Sequence, residues 1–256
     1  MRNPIVRMIH TNRDLLLLRI GGGRVLVEAC DAAGGIGSKS NDNVKASSRI
    51  VGKMTARVAL MELLSVGAEP ISIVAALAVE PKPTGNRILR GIMDEVRYAG
   101  YGRLPITSSS EKNVSVSQTG VGVTVLGYLA MSQLKIGRCR LGDELVAVGE
   151  PRVKGEVLEG ERDRLIADTN DVSKLQHCTF VHEMIPAGSR GIWHEAGVLA
   201  KDSKLSITKA SSSIDLEKSA GPSTVLLLAA PIGHLNDLKR IVHPKPTTTI
   251  GHFHRK

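Results

Sequence analysis

Aromatic side chains are nearly absent: two Phe, three Tyr and one Trp in 256 residues. Proteins that grip single strands or RNA stack bases on such rings. The net charge of +9 therefore reads as the basic surface of a protein that handles small anions, and nucleic acid is not expected as a partner. Cysteine is scarce as well. Cys30, Cys139 and Cys178 are widely spaced with no CxxC pair, which excludes a disulfide framework and suggests reduced thiols in a cytoplasm. Long apolar runs are missing. Leu15–Leu18 and Val225–Ala230 fall far short of the ~20 residues that cross a bilayer. The opening Met1-Arg-Asn-Pro-Ile5 lacks the apolar core of a secretory leader. A cytoplasmic protein without membrane contact is expected. No Gly-x4-Gly-Lys-Ser/Thr string occurs either, which removes the P-loop.

What remains is ordinary globular material, 42% hydrophobic and 23% charged, with a core to be built from Val, Leu, Ile, Ala and Met. The length suits one large or two small domains. Leu15–Ile20 and Arg24–Cys30 flank Gly21-Gly-Gly23 and read as a hairpin. Ile50–Val66 repeats apolar residues at helical spacing, with Gly67 as its C-terminal stop. Ile71–Val79 reads as a buried strand. Asn86–Ala99 reads as a helix that Thr84 caps, and Thr119–Tyr128 as a strand whose glycines predict close approach of a backbone or ligand. The pattern resets near Ala130–Arg140, so a domain boundary is placed there. Beyond it come a strand ending at Gly149, a helical stretch Glu156–Asn170, a helix start at Gly188–Ala200, a strand Thr224–Ala230 and a short helix Leu235–Val242. The Pro/Thr segment that follows, with His243, His252 and His254, reads as a mobile tail.

Three acids stand in surroundings suited to phosphate. Asp31 ends the strand-like run from Arg24 and opens Ala32-Ala-Gly-Gly-Ile-Gly-Ser-Lys39. Glu62 lies in an apolar helix just before Ser65-Val-Gly-Ala-Glu-Pro70. Glu111 follows Thr107-Ser-Ser-Ser110 and precedes Lys112-Asn113. Carboxylates hold a hard cation through oxygen, while loop N–H groups and a lysine take up phosphate charge. Arg57, one turn from Glu62, suits an ion pair or a phosphate contact. Gly188-Ser-Arg-Gly191 could be a helix N-terminus that receives a phosphate or a substrate hydroxyl.

Together these segments resemble the aminoimidazole ribonucleotide synthase-like (PurM-like) superfamily over about residues 10–250. In it a strand ends in a metal-binding Asp followed by a glycine loop, matched here by Asp31 and Gly34-Gly-Ile-Gly-Ser-Lys39. A second acid precedes a Met-Gly-Ala-x-Pro string, matched by Glu62 before Val66-Gly-Ala-Glu-Pro70. Ser109-Ser-Glu111 is a looser match to a third. Thr55–Glu62, Thr107–Asn113 with Thr119–Thr124, and Gly188–Ile192 bring the chain nearest to the α-ribazole kinase branch.

The resemblance implies an α+β fold of two domains, residues 1–135 and 136–256, like the synthase N-terminal (βα sandwich, dimerising) and C-terminal (mixed α/β) domains. It implies a homodimer and an ATP-dependent kinase of a small-molecule alcohol, α-ribazole in cobamide salvage; the alternatives are another ATP-dependent reaction of the superfamily, thiamine-monophosphate kinase-like or synthase-like, and a non-catalytic nucleotide-binding partner. Asp31, Glu62 and Glu111 would hold Mg²⁺. Gly34, Gly35, Gly37, Ser38, Lys39, Asn113, Gly188 and Ser189 would bind ATP, with Lys39 and Asp31 in the catalytic role. Two departures count. The Ser-Asp-Gly string of thiamine-monophosphate kinase appears as Ser189-Arg190-Gly191. The reactive Cys of selenophosphate synthetase has no counterpart, since Cys30, next to Asp31, is expected to be buried.

Overall fold

The computed structural model describes residues 6–256; the leader reading of Met1–Ile5 lies outside them. The chain forms two compact units. The first gathers the segment up to His10 with Asp14–Leu63 and Ala68–Ser132. The second gathers Thr11–Arg13, Leu64–Gly67 and Gln133–Lys256.

In the first unit β1 (Arg7–Ile9), β2 (Leu15–Gly21) and β3 (Arg24–Gly34) are followed by the short pair β4 (Ile36–Gly37) and β5 (Val44–Lys45). Then come α1 (Ser48–Ser65), β6 (Glu69–Leu77), α2 (Asn86–Tyr98), β7 (Ile106–Ser110) and β8 (Gly120–Ala130). The main sheet runs β1-β2-β3-β8-β6-β7. The glycine hairpin is present: Gly21 pairs with Arg24, and Gly22 and Gly23 turn with φ of 56° and 71°, as a two-residue loop of this twist requires.

Period-two alternation gives the sheet two faces. Val25, Val27 and Ala29 of β3 and Val121, Val123 and Val125 of β8 are buried. On that side a Cβ added to Gly127 would meet Leu63 of α1 at 2.9 Å, so this strand glycine makes room for a helix. α1 and α2 touch through backbone: a Cβ on Gly52 would lie 2.1 Å from the Ile88 carbonyl, and one on Gly91 1.8 Å from that of Arg49. The opposite face is open, and Leu16, Ile20, Val74 and Tyr128 stand exposed on it. Cys30 alternates onto this face and is exposed, against the expectation of burial.

The second unit contains β9 (Glu144–Gly149), α3 (Glu156–Arg162), α4 (Thr169–Leu175), β10 (Glu183–Ala187), α5 (Ile192–Asp202), β11 (Ser206–Lys209), β12 (Val225–Ala230), α6 (Leu235–Ile241) and β13 (Thr247–His254). Its sheet, β10-β12-β9-β13-β11, is antiparallel throughout. Leu145, Leu227 and Ile185 from the strands pack with Ile192 and Leu199 of α5 and with Phe253. Buried Glu183 accepts from the N–H groups of Gly137 and Cys139, each at 3.0 Å, and pairs with buried Arg13.

Two expectations fail here. The helical stretch Glu156–Asn170 is two helices, because Leu165 and Ala167 bond across to Glu150 and Thr224 instead. Asp168 then caps α4 in a reciprocal box with Asp171. The mobile tail is β13, an interior strand of the sheet. Among the described residues no helix is long and apolar enough to cross a membrane.

Candidate functional site

The glycine loop after β3 is held by Asp42. Its carboxylate accepts the Lys39 N–H at 2.8 Å, and the Thr119 N–H and hydroxyl at 2.7 Å each. Partial burial opposes ionisation, but these bonds pull the carboxyl below its usual value. Gly37 is required at this crossing, since a Cβ there would sit 2.3 Å from Thr119 Oγ1 and 2.6 Å from Asp42 Oδ2. Gly35 turns with φ of 68°. Ser38 Oγ lies 3.1 Å from Ser48 Oγ at the start of α1. The loop is therefore a fixed shelf rather than a flexible flap.

Beside it a groove of about 580 Å³ crosses the ends of four strands. Ala32 and Gly34 of β3, Gly120 and Gly122 of β8, Ala76 of β6 with Ala78 just past it, and Ser109 of β7 floor it, and Glu111 stands at its rim. Side chains this small let a ligand lie against the strand backbones.

Asp31 sits three residues before Gly34, opposite Val123. Alternation puts it on the helix-facing side, away from the groove floor. Burial pushes its carboxyl up to about 6, with a hydrogen bond from the Ala32 N–H pulling the other way. Glu111 is placed by its own N–H, which donates to the Leu77 and Val79 carbonyls at 3.1 and 3.0 Å. Its Oε1 accepts the N–H groups of Asn113 at 2.7 Å and Val114 at 3.0 Å, which hold the carboxyl below its ordinary value. Lys39 Nζ lies 2.7 Å from Glu80 Oε2 and donates to the Val116 carbonyl at 3.0 Å. Glu80 also accepts from the Thr84 hydroxyl. Thr84 thus serves Glu80 and makes no cap for α2, whose N-cap residue is Gly85, with no side-chain capping bond. Burial raises the Glu80 carboxyl, yet the bonds from Lys39 and Thr84 bring it down to about 2.

The structure brings Gly34 and Glu111 to one groove, with Lys39 bonded to the loop that follows Glu111. It does not assemble the three acids. Glu62 lies on α1, and neither it nor Asp31 lines the groove that Glu111 borders. Among the described residues no three His, Cys, Asp or Glu side chains converge as a metal-binding group. Mg²⁺ is commonly held by one or two carboxylates plus substrate phosphates. Of the three acids only Glu111 borders the groove, so the donors fit a metal that arrives with a phosphate ligand, not a closed cage of three carboxylates. Arg57 resolves as an ion-pair partner of Glu95 on α2.

Gly188 and Ser189 belong to the second unit. The Gly188 carbonyl accepts from the N–H groups of Gly191 and Ala220 at 3.2 and 3.1 Å. Ser189 is exposed, and Arg190 Nη1 lies 3.2 Å from His194 Nε2. Sequence reasoning missed Asp42, Thr119 and Glu80. The Lys39-Ser-Asn-Asp42 spacing of a side-chain-closed turn was a usable signal for Asp42; no local signal joins Glu80 to Lys39, forty-one residues apart in the chain.

No known protein-family model matches the sequence, and no curated protein does. Solved structures do match, and they define a class of fold: α+β, with two domains resembling the N- and C-terminal domains of the synthase-like superfamily. A thiamine-monophosphate kinase from Stenotrophomonas maltophilia K279a aligns with TM-score 0.64 at 16% identity, covering 100% of this chain and 90% of that one. A ThiL complexed with AMPPCP and TMP aligns at 0.62 and 13%, covering 95% and 85%. The hydrogenase maturation protein HypE in complex with ATP aligns at 0.63 and 15%, covering 99% and 82%.

Proposed function

We propose that this chain transfers the γ-phosphoryl group of ATP to a small-molecule alcohol, the ribose 5′-hydroxyl of α-ribazole in cobamide salvage. The observation that carries the reading is the small-residue groove beside a rigid glycine loop, in a fold whose solved counterparts hold ATP or AMPPCP. The choice of α-ribazole rests on the sequence resemblance of Thr55–Glu62, Thr107–Thr124 and Gly188–Ile192.

In the transfer the acceptor oxygen forms a bond to the γ-phosphorus, the bond to the bridging oxygen breaks, ADP leaves and the hydroxyl proton is released. The protein's contribution is positioning and electrostatics. Gly120, Gly122 and the groove alanines let the nucleotide approach the sheet. Lys39 meets phosphate charge at the loop. Glu111, at the groove's rim, is the carboxylate assigned to Mg²⁺, which when bound would offset charge on the triphosphate oxygens. The exposed apolar face around Leu16, Val74 and Tyr128 suits coverage by a second copy, which supports a homodimer.

The test is a mass-spectrometric assay of the purified protein with MgATP and a mixture of α-ribazole, thiamine monophosphate and simple nucleosides. A gain of one phosphate on α-ribazole, lost in Glu111→Gln, is expected. Phosphorylation of thiamine monophosphate instead would move the substrate to the ThiL side, which Arg190 in place of an acid disfavours.

One observation supports a second reading, a nucleotide-binding partner without turnover. The Glu111 carboxylate is engaged by its own loop, and no three-acid group forms among the described residues. ATP binding with no ADP released would select it.

A further inference from the structure

Lys39 is the cation the glycine loop offers to phosphate, and its ammonium already carries an anion. Glu80 Oε2 lies 2.7 Å away, and the two side chains are only 15% and 35% exposed. Both ends are anchored. The Lys39 N–H is held by Asp42 at 2.8 Å, and the Glu80 carbonyl accepts the Gly85 N–H at 3.0 Å. The pair borders the groove's rim. Val79, one residue before Glu80, accepts the Glu111 N–H, and the Val116 carbonyl that Lys39 also holds closes the loop after Glu111.

We propose that Glu80 is a resident counter-ion that occupies, on Lys39, the position a phosphate oxygen takes when a nucleotide binds. Binding exchanges one anionic oxygen for another on the same ammonium. The pair is neutral, so it offers no net attraction to an uncharged nucleoside. A triphosphate carries enough charge to displace one carboxylate. Thr84 keeps its hydrogen bond to the released Glu80, so displacement does not strand a half-buried carboxylate. Glu80 therefore sets how strongly the groove prefers phosphate-rich ligands. This rests on the reading of Lys39 as a phosphate contact of the proposed kinase.

The experiment is calorimetric titration of the full chain, as wild type, Glu80→Gln, Lys39→Met and the double variant, with MgATP, adenosine and inorganic tripolyphosphate. Glu80→Gln keeps the acceptor for Thr84 and removes the charge. It should tighten MgATP and tripolyphosphate by about two- to fivefold and leave adenosine unchanged. Lys39→Met should weaken both anions, and Glu80→Gln should then add nothing. Unchanged or weaker anion binding in Glu80→Gln, or an equal gain without Lys39, overturns the counter-ion role while MgATP binding keeps the kinase reading. A wild type that binds neither MgATP nor tripolyphosphate overturns both. Lysine Nζ NMR of the wild type gives a readout that needs no variant to fold: the Lys39 resonance must move with tripolyphosphate and stay with adenosine.

Discussion

Arg57 of α1 and Glu95 of α2 meet in a two-point ion pair inside the first unit. Nε lies 2.9 Å from Oε1 and Nη2 3.1 Å from Oε2, with the side chains 1% and 0% exposed. Removing one charge leaves its partner buried without that counter-charge. Glu95→Ala should cost about 3–5 kcal/mol, whereas replacing both by apolar residues of similar volume should cost far less. Urea unfolding of the two variants checks this; equal losses would mean that shape rather than charge governs the contact.

Gly37→Ala should disturb the loop more than its single methyl suggests. The new Cβ would overlap Thr119 and Asp42, and the clip that holds the shelf must open. A loss of about 1–3 kcal/mol is expected, together with weaker nucleotide binding. Gly34→Ala is the contrast, with nothing within 4 Å of its Cβ; it should keep stability and act only on ligand approach. Thermal melts with and without MgATP separate the two effects.

The contribution of Asp171 to the stability of the second unit should fall as pH rises toward neutrality. Burial, and then the neighbouring Asp168, lift the Asp171 carboxyl from 3.8 to about 7, with Lys245 opposing from 3.7 Å. The folded state thus favours the protonated acid. That contribution is full below the unfolded value and vanishes as pH climbs through the folded one. Asn at position 171 keeps an acceptor for the Asp168 N–H and cannot ionise. Asp171→Asn should gain on wild type between about pH 5 and about pH 8, by on the order of 1–3 kcal/mol. Parallel stability curves would refute the assignment.

If a second copy covers the open sheet face, charge placed there must part the copies. Val74→Lys combined with Leu16→Lys should sediment as a monomer and still unfold cooperatively. A wild type that is already monomeric at micromolar concentration would remove the homodimer from the reading.

Local chemistry was legible in the sequence, and long-range pairing was not. Periodicity located α1 and α2 within a residue or two, and the Gly21–Gly23 turn declared its hairpin, because each depends on neighbours in the chain. Thr107–Ser110 carries no strand pattern of its own, yet it belongs to β7, since β6 supplies its hydrogen bonds. β10, β11 and β13 escaped for the same reason. In β13, Thr247–Thr249 is β-branched and favours a strand, but the prolines before it and the histidines after it read as disorder until β9 and β11 are seen on either side. At the site, the glycine loop and the acids were legible as residue types. Their separation was not, because it depends on strand register: Asp31 and Ala32 are adjacent in sequence and face opposite sides of one sheet.

β13 also imposes an order of events. It lies between β9 and β11, and among the described residues β11 has no other strand partner. During synthesis β9 and β11 are both made well before the strand that joins them. A chain still on the ribosome therefore carries two unsatisfied strand edges, the kind of surface that recruits chaperones or pairs with the wrong neighbour. A nascent chain halted before Thr247 would have its first sheet complete in sequence and its second in pieces.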